Sequence, residues 1–386
     1  MRMLFFKERM AWPRSSGHDV HTFYMMQALA RMGHTVSLAT IHPADPRAIE
    51  GGNLASVHRL TGEDSDIPIP VAMSRWQERF RDYWGIPHAR IREFGRLAEH
   101  LDADVVVVSG LNVLPYLADV KAAKRVWYAG DEWVWHHLSQ LSMWKRSTWS
   151  EGKQAIVKGL YERAYAPLTD RVWMVSPADR KALRWVTGQK TVDVLPNGID
   201  TDHFDVGDEP KTPRSCVFWG RLDFGPNIQA LQWFCKKVWP KVRAKVPTAR
   251  FNIYGFQPTQ PVIELAIKES GIALIPDLPD IRADIRGHEV VVLPFVSGGG
   301  IKNKLLEAAA MAMPIVCTPR TMEALSGNDY NAVRVAPSAK KFASAIVELF
   351  ADPTMRHTLG RNAREWVEKD CTWASAARGA EAGLEG

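Results

Sequence analysis

Residues 289–307 read EVVVLPFVSGGGIKNKLLE, and this stretch decides the fold. Glu289–Phe295 is a near-continuous apolar, β-branched run, which predicts a strand buried on both faces of a parallel sheet. Ser297-Gly298-Gly299-Gly300 follows, and helical spacing opens at Lys302 and continues to Ala312. Strand, glycine turn and helix are the repeating unit of doubly wound α/β domains, whose ligands bind beyond the carboxyl ends of the strands. Glycines let a backbone approach an anion closely. A helix N-terminus offers it unpaired N–H groups and a favourable dipole. Lys304, in the first helical turn, opposes that dipole unless an anion sits there too. Glu307 lies three residues on, on the same helical face. A diphosphate near Lys304, with ribose hydroxyls on Glu307, satisfies both residues. A glycine turn beside an exposed Lys–Glu pair is the competing reading.

The same rhythm extends outward in both directions. Cys216–Trp219, Phe251–Tyr254, Ala273–Ile275 and Pro314–Cys317 read as strands, and Asn227–Trp239, Lys340–Phe350 and Pro353–Lys369 as helices. Upstream, Met3–Lys7, Thr35–Thr40, Val105–Ser109, Arg125–Tyr128 and Arg171–Val175 read as strands, with a helix at His21–Met32 ending at Gly33. Val192–Leu195 runs into the turn Pro196-Asn197-Gly198, and the polar segment Asp205–Arg214 separates the two series. At 386 residues the chain exceeds what one core usually covers. The expectation is two Rossmann-like α/β domains, 1–196 and 197–370.

The net charge of +6 suits polyanionic partners, whether nucleotide diphosphates, anionic lipids or nucleic acid, and equally a solvated basic surface. The four cysteines, Cys216, Cys235, Cys317 and Cys371, form no C-x-x-C pair, so no zinc or disulfide framework is expected and a cytoplasmic setting fits. No stretch has the apolar length of a membrane-spanning helix, and Met1–Met10 reads as a first strand rather than a signal peptide. Asp102-Ala103-Asp104 and Asp64-Ser65-Asp66 match a D-x-D metal pattern, but the first precedes its strand and the second sits in a proline-containing loop. Both read as chance, and no metal is expected. Arg75 to Arg96 interleaves arginines with Trp76, Phe80, Tyr83, Trp84 and Phe94, and a second patch holds Trp144, Lys145, Arg146 and Trp149. These residues suit a membrane interface, a single-stranded nucleic acid, or a helix pair whose aromatics face the core.

Five segments in order resemble the family 4 glycosyltransferases, which have the GT-B fold of two facing Rossmann-like domains. They are SGHDVHTFYMMQALARMGHTVSL (16–38), DRVWMVSPADRKAL (170–183), VLPNGIDTDHF (194–204), VFWGRLDFGPNIQALQWF (217–234) and GGGIKNKLLEAAAMAMPIVCT (298–318). The resemblance implies a retaining transfer of sugar from a UDP- or GDP-sugar to a hydroxyl acceptor, in polysaccharide or glycolipid synthesis. The donor would be held by the second domain, and the chain's end, 371–386, would cross back to the first.

Residue by residue, the resemblance places the donor diphosphate on Arg221 and on the backbone of Gly298, Gly299 and Gly300, and the ribose on Glu307. Glu307 matches the second acid of the family's E-x7-E pattern; the first falls on Gly299, a GGG-type variant. Where relatives often carry a lysine after GRL, this chain has Asn227, and Lys304 is expected to supply the charge. The donor base is expected near Pro276–Ile281. In the first half, Gly17 opens the loop-to-helix turn that approaches phosphate or acceptor. His18, Asp19 and His21 sit at its first turn, His21 where relatives often carry arginine. Asp131 is the candidate that contacts the reacting sugar or orients the acceptor, with His136 and His137 behind it. The resemblance favours a lipid-linked or sugar acceptor and an anionic membrane surface over nucleic acid. A nucleotide-sugar epimerase or phosphorylase, a catalytically silent donor-binding subunit and a basic nucleic-acid-binding protein are the alternatives.

Overall fold

A computed structural model describes residues 1–12, 17–62, 70–121, 123–130, 148–298, 302–323 and 331–386. It divides into two compact units, Met1–Pro196 with Trp373–Gly386, and Asn197–Thr372.

Unit 1 is built on a seven-stranded sheet in the order β3-β2-β1-β4-β5-β6-β7. The strands are β1 Arg2–Lys7, β2 Thr35–Thr40, β3 Ser56–Arg59, β4 Val105–Ser109, β5 Lys124–Gly130, β6 Arg171–Met174 and β7 Val192–Val194. Every pairing is parallel. Alternation across the pleat feeds two cores. Leu4, Phe6, Val106, Val108 and Trp127 enter one, and Met3, Phe5, Val105, Val107 and Tyr128 the other. The second core is covered by helix α1, Gly17–Arg31, and by the C-terminal helix Trp373–Glu385, which buries Trp373, Ala376, Ala377, Ala380 and Leu384.

Unit 2 has a six-stranded parallel sheet in the order β10-β9-β8-β11-β12-β13. Its strands are β8 Ser215–Trp219, β9 Arg250–Gly255, β10 Ile272–Pro276, β11 Val290–Leu293, β12 Ile315–Cys317 and β13 Arg334–Val335. In each sheet the strand order reverses at one place, between β1 and β4 and between β8 and β11, and open α/β sheets bind ligands at the carboxyl side of such a switch.

Several boundaries differ from the sequence reading. The helix expected from His21 begins at Gly17, because Asp19 suits the positive end of a helix and extends it one turn upstream. The helix expected to stop at Trp239 runs from Gly225 to Lys245 with a π turn at Phe234–Val238. That turn keeps Phe234, Cys235, Val238 and Trp239 all buried. β3 and β13 carry little pattern because they are short edge strands. All four cysteines are buried free thiols.

Candidate functional site

At the switch of unit 2, β8 ends in Trp219 and runs into Gly220-Arg221, while the helix Asn303–Ala310 follows β11. That helix buries Leu305, Leu306 and Ala308–Ala310, which turns Lys304 and Glu307 toward the strand ends. Gly220 has φ +135°, and a Cβ on it would lie 2.4 Å from Lys304 Cε and 2.6 Å from Nζ. Only glycine leaves the lysine its path across the strand end. Nζ then stands 5.8 Å from the centre of the Phe218 ring and 5.9 Å from that of Phe295, within cation–π range. Among the described residues no hydrogen bond or salt bridge reaches it. Burial pushes the Lys304 ammonium pKa down, and Glu307 pulls it back up.

Burial likewise raises the Glu307 carboxyl above the usual carboxylate range, against the opposing pull of Lys304, of a hydrogen bond from Trp219 and of His203. The indole Nε1 of Trp219 donates to Glu307 Oε2 at 2.8 Å. The switch therefore holds a partly desolvated cation and a carboxylate with acceptor capacity left.

The surrounding loops converge on the same place. Gly298 has φ +87° and packs against Pro226, to which a Cβ would come within 3.1 Å. Lys302 Nζ donates to the Gly298 carbonyl at 3.2 Å and lies 5.5 Å from the centre of the Phe295 ring. Gly299 and Gly300 lie outside the described residues. Arg221 is exposed, and its guanidinium forks onto Asp223 at 2.7 and 3.1 Å. Asn227 is buried and donates to the Arg221 carbonyl at 2.7 Å, so it holds the loop through the backbone. No side chain of its own N-cap closes the helix Asn303–Ala310; Asn197 Nδ2 instead donates to Asn303 Oδ1 at 2.7 Å. Sequence reasoning passed over Trp219, Asp223 and Asn197. The indole directly before GRL was the available signal for the first.

At the switch of unit 1, Lys7 at the end of β1 pairs with Asp19 in the first turn of α1 at 2.7 Å, each side chain about one-tenth exposed. Thr22 Oγ1 lies 2.6 Å from Ser109 Oγ at the end of β4. A cavity of about 640 Å³ opens here, its walls including Lys7, Arg9, His18, Asp19, Ser109 and Lys158. Burial, with Lys7 close by, pushes the His18 imidazole down to about 4. Burial, His18 and Lys7 push His21 to about 3. His21 packs its ring against Tyr128 and Trp373, at centroid distances of 6.2 and 5.6 Å. Both imidazoles are neutral near pH 7, so His21 does not supply the charge of an arginine. Gly17 is the first residue of α1. Asp131, His136 and His137 lie outside the described residues.

Asp102 and Asp104 both bind the Arg2 guanidinium at the amino ends of β1 and β4, opposite the switch. Asp64-Ser65-Asp66 and Trp144–Arg146 lie outside the described residues. The basic aromatic stretch splits: Phe80 and Phe94 are core, while Trp76 and Tyr83 are 55% and 71% exposed and Trp84 is exposed beside them. No helix among the described residues is long and apolar enough to cross a membrane.

Comparison with known proteins agrees with this layout. Residues 15–203 match the profile of Glycosyltransferase Family 4, and residues 213–352 that of Glycosyl transferases group 1. No curated protein sequence matches the chain. Among solved structures, a glycosyltransferase from Rickettsia africae ESF-5 aligns with a TM-score of 0.68 at 12% identity, over 100% of this chain and 97% of that one. Anabaena HepE in complex with UDP-glucose aligns with 0.65 at 13% identity, over 99% of each chain. Sucrose-phosphate synthase from Thermosynechococcus elongatus gives 0.66 at 17% identity, over 99% of this chain and 97% of that one. At such identities these likenesses speak to the fold, which is GT-B.

Proposed function

The chain belongs to the family 4 glycosyltransferases, and from that premise we propose that it moves a hexosyl group from a UDP- or GDP-sugar to a hydroxyl acceptor with retention of configuration. The observation that carries this reading is Lys304. Its ammonium is partly desolvated at the switch of unit 2, bound by no described hydrogen bond, three residues before a carboxylate that an indole already holds. Such a cation costs stability unless an anion arrives.

The diphosphate takes up charge as the sugar departs. Lys304, the Arg221 fork released from Asp223, and the backbone at Gly298, Gly299 and Gly300 stabilise that charge. Glu307 accepts from the ribose hydroxyls. The donor thus lies on unit 2. Unit 1 presents the acceptor, with Gly17 and the neutral His21 shaping the first turn of α1, and Asp131 and His136 acting on the acceptor hydroxyl. HepE was solved with UDP-glucose, which favours a nucleotide-sugar donor. WaaG, a further structural relative, is involved in lipopolysaccharide biosynthesis, which favours a sugar or lipid-linked acceptor in polysaccharide or glycolipid assembly. The exposed Trp76, Tyr83 and Trp84 beside Arg79 give unit 1 a face suited to an anionic membrane surface on the cytoplasmic side.

Thermal unfolding with UDP, GDP, ADP and their sugars tests the donor site, because a ligand that binds only the folded state raises the melting temperature. The expected result is a clear rise with one nucleotide, abolished in Glu307→Ala. No rise with any of them would overturn the donor assignment. Asp131→Ala is expected to lower turnover by about a hundredfold, the scale of one proton-transfer group, with donor affinity kept. Wild-type turnover in that variant would remove Asp131 from the mechanism. Charge neutralisation by Lys304 and Arg221 needs no divalent ion, so activity is expected to survive EDTA; abolition restored by a divalent metal would refute this.

A further inference from the structure

We propose that Trp219 is a positioning residue for ribose recognition, its indole N–H fixing the Glu307 carboxylate so that the remaining lone pairs meet the 2′- and 3′-hydroxyls of a nucleoside diphosphate. This rests on the donor reading above and adds to it a residue that the glycine-rich segment does not contain.

Three observations converge. The first is the bond itself, 2.8 Å from Nε1 to Oε2. An indole is donor-only, so it cannot accept from a sugar hydroxyl and cannot compete with the carboxylate for it. An ionised carboxylate offers about four lone-pair sites; one donor on Oε2 leaves Oε1 and part of Oε2 open.

The second is the platform. Trp219 closes β8, an interior strand of its sheet, is 4% exposed, and belongs to the core of unit 2. Glu307 has rotatable bonds whose freedom must be lost on binding. A rigid donor fixed by the core removes much of that freedom in advance, as partners behind a ligand-binding group do elsewhere.

The third is the electrostatic setting. Burial opposes the ionised form of Glu307, and the indole and Lys304 work against burial. Without the indole the carboxylate would be both looser and less often charged, and a neutral, mobile carboxyl is a poor acceptor for two adjacent hydroxyls. A purely structural tryptophan would behave differently. Its removal would weaken all nucleotides alike.

The test compares ribo- and 2′-deoxyribonucleotides by titration calorimetry, using UDP with dUDP and GDP with dGDP, on the full chain. Wild type is expected to prefer the ribonucleotide of its base by roughly ten- to a hundredfold, the range of a hydrogen bond to a charged group. Trp219→Phe keeps a ring in the core and removes the N–H. It is expected to narrow the preference to within about threefold while the deoxynucleotide affinity changes little. A preference as large as wild type's in Trp219→Phe would overturn the role of Trp219 and leave the donor site standing. Binding of no diphosphate by wild type would overturn the donor reading itself.

If Trp219→Phe does not fold, the wild-type protein labelled with ¹⁵N-tryptophan still decides. The indole resonance displaced by Glu307→Gln is expected to shift with the ribonucleotide and markedly less with the deoxynucleotide. Equal shifts would overturn the proposal.

Discussion

Lys7 and Lys304 each reach the switch point of their own sheet, Lys7 at the end of β1 and Lys304 on the helix after β11, yet their charges are handled in opposite ways. Lys7 is locked onto Asp19 at 2.7 Å, with both groups almost wholly buried. Lys304 lies against two phenyl faces, and the nearby acid is held by Trp219. A charge buried with its partner has become part of the architecture. A charge kept among weak partners, at a place where sheets bind ligands, is still available for one.

The sharpest way to break this comparison is to remove each lysine in turn. Lys7→Ala takes the ammonium away from the buried Asp19 carboxylate, and losing one member of a buried pair costs about 3–5 kcal/mol. Lys304→Ala breaks no hydrogen bond or salt bridge among the described residues and is expected to change stability by less than about 1 kcal/mol. Its effect appears in binding, where loss of a charge-assisted contact is expected to weaken UDP or GDP by about a hundredfold. Denaturant unfolding and calorimetry on the two variants check this. Equal destabilisation with unchanged nucleotide affinity for Lys304→Ala would erase the distinction.

Acid sharpens the comparison with a smaller effect. His18 and His21 sit in unit 1 beside Lys7, with folded values of about 4 and about 3 against 6.5 for a free imidazole. The unfolded chain therefore takes up protons below pH 6.5 that the folded unit refuses. Stability is full above that pH, falls as pH drops through the window, and stops falling below the folded values. Asp19 partly offsets the cost at His18. Unit 2 has His288, held near 4 by burial and Lys211, so it carries a milder version of the same limb. His21→Phe keeps an aromatic ring against Tyr128 and Trp373 and is expected to flatten the decline between pH 6.5 and 4 by on the order of 2 kcal/mol. Urea unfolding across that range reads it directly; an unchanged slope would mean that His21 is charged in the folded protein.

The two sites differ also in what the sequence disclosed. The valine runs at Val105–Val108 and Val290–Val292 announced strands covered on both faces, because short runs of consecutive β-branched residues suit an extended chain packed on two sides. Lys304 and Glu307 were legible because both partners sit on one helix at a fixed spacing. The bond from Trp219 to Glu307 was not, since its ends are 88 residues apart and meet only when β8 and β11 pair. Lys7 and Asp19 are close in sequence but lie on a strand and a helix, and no periodicity relates those. The aromatic stretch was ambiguous for another reason. The Ser74–Gln77 capping box starts the helix Arg75–Tyr83, and Gln77 donates to the Ala164 carbonyl. That anchor sets the rotation that buries Phe80 and exposes Trp76 and Tyr83.

That exposed face supplies the smallest predicted effect and bears on unit 1 alone. Trp76 touches Phe80, and Phe80 and Trp84 both touch Tyr161 of the helix Thr148–Tyr165, whose Ile156 and Leu160 are exposed. Arg79 lies 5.9 Å from the centre of the Trp76 ring. Aromatic rings with arginine beside them sit well at the level of lipid head groups, and each cation adds about 1 kcal/mol of attraction to an anionic surface at low ionic strength. The full chain is expected to co-sediment with vesicles containing phosphatidylglycerol at low salt, and less so as salt shortens the Debye length. Replacing Trp76 and Tyr83 together by alanine is expected to lower the bound fraction about threefold or more, with nucleotide affinity unchanged, because both rings lie in unit 1 and Arg221, Lys304 and Glu307 in unit 2. Wild type that stays in the supernatant at low salt would end the membrane reading, and would leave that face as the exposed side of two helices whose other side fills the core.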